Sequence, residues 1–449
     1  MTRTRLGLLV SLAALGVGTT ACVVPVELAQ SPGTESDSEA MGNASADESG
    51  TEGDTADCLG GELGCVCVES TCEDGLTCAE GECVPLQGPC GNGLLEDGED
   101  CDDGNLTDAD GCNADCRVSG TIEWSVDLNG DADLSGILAV GVDSTDAIVL
   151  GGFFSQDDVV SGRLWKLDPA GEELWVDTMA ETTVVRELAI APDDGIAVAG
   201  FSNPTSPTST EIWVRDYDTD GTLEQQFEPD WNIIEGVAVL PDGRILAGGG
   251  GRLFAMDSEP PWHWELEQWF NVLTISPTGG FVVAGWSTEE LDMSYIAWYE
   301  DTTNPGTATR TQIEPKDPIR GLAFDSEGNI VVVGSRTVGA TSSASELRKL
   351  APDGAELWSI TPTSGSPSGE RAFGMAVDSR DRIVVVGYGD SDLDYFPWIA
   401  KFDSDGTPLW NVVLTENLGD IHGIAINSQD EVLVGTSYGE HAVLFSLTP

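Results

Sequence analysis

The chain has 449 residues, 78 acidic against 19 basic side chains, a net charge of −59 and 11 cysteines. It is too long for one ordinary core and needs several folding units, at least one large enough to bury an interior. So negative a surface repels nucleic acid and anionic lipid head groups, which excludes a nucleic-acid partner and leaves cations, basic proteins and neutral sugars as the easier ones.

The first element is an export signal. Arg3 and Arg5 precede an apolar stretch from Leu6 to Val17, and small residues lead to Cys22. The stretch is too short to span a bilayer, and no other segment has an apolar run of membrane length. Thr19-Thr20-Ala21-Cys22 resembles the bacterial lipobox, which implies that residues 1–21 are removed and that Cys22 becomes the lipidated N-terminus. Ordinary cleavage after Ala21 is the alternative. The expectation is an exported protein with a lipid anchor in the outer membrane, its periplasmic or cell-surface side left open. Residues 22–57 are rich in Ser, Gly, Thr, Ala, Asp and Glu with almost nothing to bury, and read as a disordered, acidic linker.

All eleven cysteines lie at or before Cys116. Setting Cys22 aside leaves an even number, which suits five disulfides in an oxidising compartment. Cys58, Cys65, Cys67, Cys72, Cys78 and Cys83 form one disulfide-rich module over 58–89; Cys90, Cys101, Cys112 and Cys116 form a second over 90–118. Each is too small to hold a core without covalent help, and their irregular spacing argues against zinc. The connectivity stays open.

The second module, CGNGLLEDGEDCDDGNLTDADGCNADC, resembles the cysteine-rich repeat of many secreted and surface proteins of myxobacteria, a resemblance that implies no catalytic activity. Its Asp100, Asp102, Asp103, Asn105, Asp108 and Asp110 crowd oxygen ligands into one short loop, making calcium the one candidate cofactor.

From Gly120 onward cysteine is absent and an internal repeat begins. A strand, an Asp/Gly turn, then four apolar residues and a small closing residue recur in GILAVGVDSTDAIVLGG, ELAIAPDDGIAVAG, GVAVLPDGRILAGG, LTISPTGGFVVAG, GLAFDSEGNIVVVG, GMAVDSRDRIVVVG and GIAINSQDEVLVGT. The closing residues are Gly152, Gly200, Gly249, Gly285, Gly334, Gly387 and Thr436, separated by 48, 49, 36, 49, 53 and 49. Such a period, with short strands and turn signals, predicts propeller blades.

Each unit continues into a third strand and an outer strand often carrying Trp, as in LWKLDPAGEELW and WIAKFDSDGTPLW. The last unit stops one strand short, and TIEWSVDL (residues 121–128) supplies the missing outer strand from the other end. The expected fold is therefore all-β, a closed seven-bladed β-propeller over 119–449, similar to bacterial seven-bladed propeller proteins. The third blade, with the shortest spacing, must have shortened outer strands.

Three motifs have bland readings. GTSYG at 435–439 fits a hydrolase nucleophile turn, but a strand rather than a helix follows and it occupies an ordinary repeat position. Asp216, Asp218, Asp220 and Gly221 match half a calcium loop, but Phe227 stands where its bidentate Glu belongs. Trp124, Trp175, Trp264, Trp358 and Trp410 recur at one repeat position, which says blade packing rather than sugar stacking. The turn-plus-Trp ending weakly resembles quinoprotein-type propellers, against which the blade number counts.

The expected function is a noncatalytic, monomeric binding scaffold of the cell envelope, its partner an envelope protein or polysaccharide. An enzyme or cofactor binder is the alternative. It requires carboxylates, Arg and His converging on the central channel.

Overall fold

The computed structural model describes residues 90–449 apart from short stretches, of which 203–210, 287–293 and 301–308 are the longest, and the backbone of two strands upstream. The signal, Cys22, the linker and Cys58, Cys65, Cys67 and Cys72 lie outside the described residues. The upstream strands, Leu76–Ala79 and Glu82–Pro85, form an antiparallel hairpin with Cys78 opposite Cys83.

The propeller consists of seven four-stranded antiparallel sheets. Six are built from consecutive strands; the seventh joins Asp420–Ile426, Val432–Ser437 and Val443–Leu447 to Ile122–Asp127 from the other end of the sequence. In that closure Trp124 pairs with Ser446 and Asp127 with Val443. The Thr448 N–H donates to the Thr121 carbonyl at 2.9 Å, and the Thr121 N–H donates to Thr448 Oγ1 at 3.0 Å. The expected ring closure is thus present, and no four-stranded sheet is left incomplete. The third blade is indeed the slight one, with outer strands of four and three residues at Arg252–Ala255 and His263–Glu265.

The apolar runs that mark each repeat are the second strands. Ile330, Val331 and Val333, like Ile383 to Val386, are fully buried because a neighbouring blade covers each face of the sheet, so the pattern is continuous rather than alternating. Core clusters accordingly bridge adjacent blades: Ile137, Ile148, Leu150 and Trp165 of the first pack with Val126, Leu433 and Leu444 of the seventh.

The closing glycines have a steric cause. A Cβ at Gly152, Gly200, Gly285 or Gly387 would collide with the backbone carbonyl of Gly136, Val184, Trp269 or Arg371 on the adjacent inner strand. Within the next two residues of that inner strand the pairing shifts register, so close backbone approach and a β-bulge go together.

The recurring Trp residues pack between blades as expected. Trp124, Trp175, Trp358 and Trp410 cover Gly171, Gly221, Gly406 and Gly120, each a turn glycine with positive φ. Trp175 and Trp358 also donate their indole N–H to the carbonyls of Thr219 and Ser404 in the following blade. Buried ion pairs repeat as well: Lys166 with Asp143, Lys349 with Asp325 and Lys401 with Asp378, at 2.8, 2.8 and 2.9 Å.

One boundary differs from the expected 118/119. The compact unit that holds the propeller also takes in Glu99–Cys101 and the chain from Leu106 onward. Arg380 pairs with Asp108 at 2.7 Å, Arg382 donates to the Asp108 carbonyl, and Ala109 is fully buried in the cluster of Trp410, Val412 and Val432. Two guanidinium groups and an apolar seat therefore hold the last part of the cysteine-rich repeat to the sixth and seventh blades.

Candidate functional site

Every inner strand of the propeller starts near the ring axis, and the bulge fixes which side chain faces inward there. The shifts leave out Leu138, Arg186, Asn271, Arg320, Phe373 and His422, one per blade. In the third blade Glu235 holds the same place, just before Gly236–Val239, with its N–H on the Gly248 carbonyl at 2.9 Å. All seven side chains line one cavity of about 300 Å³. A bulged residue is unpaired in the ladder and re-aimed, which is how an ordinary strand can present a polar group to an axis.

Below this mixed layer the next repeat position is small or apolar in six blades, at Ala139, Gly236, Val272, Gly321, Gly374 and Gly423, and acidic in one, at Glu187. One residue further, Val140, Leu188, Leu322, Met375 and Ile424 make an apolar floor to the same cavity. The channel therefore changes from charged to greasy within three residues of strand.

The charges are unevenly matched. Arg186 and Glu235 form an ion pair at 2.6 Å. Among the described residues Arg320 makes no hydrogen bond or ion pair; its guanidinium lies 6.0 Å from the centre of the Phe373 ring. Desolvation lowers its pKa, Glu235 acts the other way, and Arg186 and Arg371 add to the lowering. Phe373 in turn contacts the His422 ring at 4.8 Å and the Tyr388 ring at 5.3 Å. Asn271 donates to the Ile319 carbonyl at 2.6 Å, while its side-chain oxygen is buried without a hydrogen-bond partner.

Glu187 faces the channel but is surrounded by protein, and this desolvation pushes its pKa up to about 7, with Arg186 pulling down and Glu235 pushing up. The same desolvation, joined by Arg186 and Arg320, pushes His422 down to about 4, so its imidazole is neutral at pH 7. The mouth thus carries the guanidinium groups of Arg186 and Arg320, the Glu235 side chain paired with the first of them, and the Glu187 carboxyl near half ionisation. In a protein of net charge −59 this is a locally cationic spot.

None of these seven positions was singled out by sequence. They form a column immediately before the Gly-x-Ala-x segment of the repeats, and aligning the blades one residue earlier exposes Leu, Arg, Glu, Asn, Arg, Phe, His at 138, 186, 235, 271, 320, 373 and 422. The convergence of carboxylates, Arg and His that the alternative reading required is present.

In the candidate calcium loop the described carboxylates accept hydrogen bonds from the protein. Asp102 accepts four backbone N–H bonds, from Gly91, Asn92, Gly93 and Gly104 at 2.9, 3.1, 2.7 and 2.8 Å. Against a desolvation effect that raises it, those donors hold its pKa below the ordinary value. Asp103 accepts from the Asn105 N–H, and Asp108 from Ala114 and Arg380. Among the described residues, which include Asp100 and Asp110, no group of three His, Cys, Asp or Glu side chains could hold a metal ion. A carboxylate ringed by donors has its lone pairs engaged, and here the protein supplies the donors.

Of the cysteines expected to pair, Cys101 and Cys112 form a disulfide, and Cys90 and Cys116 are buried. Ser437 of GTSYG ends a strand, as an ordinary repeat position should. Asp218 accepts from the N–H groups of Asp220 and Thr222, a local turn.

A family model described as a beta-propeller domain of unknown function, DUF5122, matches residues 326–355. No curated protein matches the chain. Among solved structures, a catalytically inactive virginiamycin B lyase from Staphylococcus aureus with quinupristin is 12% identical, with a TM-score of 0.51 over 72% of this chain and 99% of that one. The Dos1 propeller is 10% identical, with a TM-score of 0.47 over 73% and 95%. Sqt1 from Chaetomium thermophilum is 13% identical, with a TM-score of 0.48 over 74% and 99%. At these identities the likeness is one of fold.

Proposed function

We propose that this protein is an exported, lipid-anchored binding propeller that takes a small molecule at the mouth of its central channel. The observation that carries the reading is the convergence of seven bulge side chains of mixed chemistry on one cavity. Concave sites with a few convergent polar groups over an apolar floor are where proteins bind small ligands. Binding is the role the lining supports directly, through a guanidinium, an ion pair and an aromatic ring set over an apolar floor. Cys22 as lipid site and the acidic linker would hold the propeller at a membrane surface.

A second reading keeps the propeller as a scaffold for an envelope protein or polysaccharide. It is favoured by Leu174, Val176, Leu223 and Leu357, exposed apolar side chains all on outer edge strands. A thermal-shift screen of small molecules on the full chain separates the two. Hits that move the His422 imidazole resonances support the channel; hits that all leave His422 unmoved shift the assignment to the scaffold.

A further inference from the structure

We infer that the ligand class is a small monocarboxylate with a compact apolar body, its carboxylate on Arg320 and its body on the ring of Val140, Leu188, Leu322, Met375 and Ile424. This rests on the channel-mouth reading and adds the chemistry of the occupant.

Among the described residues the exposed Arg320 side chain is the charged bulge group without a hydrogen bond or ion pair, since Arg186 and Glu235 neutralise each other. A guanidinium presents a planar fork of donors that matches a carboxylate in two parallel hydrogen bonds. The surroundings select for a single negative charge. A dianion such as phosphate brings one charge more than the uncompensated Arg320 balances and is repelled by Glu187 when ionised, whereas one Arg balances one carboxylate. An ammonium ligand meets the uncompensated Arg320 guanidinium and is repelled.

The rest of the ligand has to be apolar and small. The cavity of about 300 Å³ lies at the lower end of the range for ligand pockets. Phe373, held against His422 and Tyr388, forms an aromatic wall beside Arg320, and neutral His422 adds no charge to it. The apolar floor begins one strand residue below the glycine layer, so a ring or short chain attached to the carboxylate reaches it directly.

The test is calorimetry and NMR on the full chain at neutral pH with benzoate, benzyl alcohol, benzylammonium and inorganic phosphate. Benzoate is expected to bind about tenfold or more tighter than benzyl alcohol, the difference a charged hydrogen-bonded pair makes, and to perturb His422. Arg320→Met should bring benzoate down to the level of the alcohol, and Arg320→Lys should restore part of the preference. Benzyl alcohol or phosphate binding as tightly as benzoate while perturbing His422 overturns the carboxylate and leaves the channel reading standing. If no probe perturbs His422, both fall.

Discussion

Asp146 accepts hydrogen bonds from both the N–H and the Oγ of Ser428, at 2.9 and 2.6 Å, which ties the inner turn of the first blade to that of the seventh across 282 residues of sequence. The same clip joins Ser144 to Asp194, Ser326 to Asp381 and Ser379 to Asp430. Four consecutive interfaces, from the fifth blade round to the second, are therefore fastened. In the second, third and fourth blades the serine is replaced by Pro192, Pro241 and Pro277, and in the third, fourth and fifth the aspartate by Gly243, Gly279 and Gly328. Proline has no N–H to give and glycine no carboxylate to receive it.

Each clip aspartate also has positive φ, 62° at Asp146. Asp146→Gly should lose the clip, about 1 kcal/mol for an exposed pair, but keep an easy backbone. Asp146→Ala should lose the clip and add the left-handed strain of a side chain, making it roughly 1 kcal/mol worse than Gly. Urea unfolding of both, with Ser428→Ala in a double-mutant cycle, checks this; additive effects of Asp146→Gly and Ser428→Ala would mean that the clip contributes nothing.

Removing residues 121–128 should destabilise the propeller far more than removing 58–98. The first deletion strips Val443–Leu447 of its partner strand and Gly171 of its Trp124 cover. Extending the second deletion through Cys116 should have an intermediate effect, because it also removes Asp108 and Ala109 from the sixth and seventh blades. Melting temperatures in that order are the expected result. Reductant should open Cys101–Cys112 and leave the propeller, which has no cysteine after Cys116, folded.

Glu187 makes stability depend on pH. Its folded pKa, about 7, is above the ordinary 4.5, so between those values the folded state holds more protons and stability falls as pH rises. The penalty is absent below pH 4.5 and complete above about 7. Glu187→Gln should therefore stabilise the protein at pH 8, by on the order of 2 kcal/mol, and have little effect at pH 4. Chemical unfolding of both forms at the two pH values decides it, and an equal gain at each would remove the titration as cause.

His422 acts in the opposite sense. With its folded pKa pushed down to about 4 from 6.5, the folded state binds fewer protons, and its contribution is lost as pH falls from 6.5 towards 4. NMR titration should show His422 neutral at pH 5. A midpoint for His422 near 6.5 would contradict its burial beside Arg186 and Arg320.

The sequence by itself determined the blade number, the repeat boundaries and the ring closure. These rest on local signals: apolar second strands, turn residues, and a Trp-bearing strand at residues 121–128 left over at one end and missing at the other. It also placed the Trp residues in blade packing, since a side chain recurring at one repeat position faces the same neighbour each time. The channel site was decided by tertiary structure alone. Leu138, Arg186, Glu235, Asn271, Arg320, Phe373 and His422 share no motif and stand 36 to 53 residues apart; only closing the ring brings them to one axis, and the bulge beside six of them points the side chain inward. The seat of Asp108 and Ala109 was equally hidden, because its partners Arg380, Arg382 and Trp410 lie more than 250 residues away and carry no local sign of a surface loop to receive.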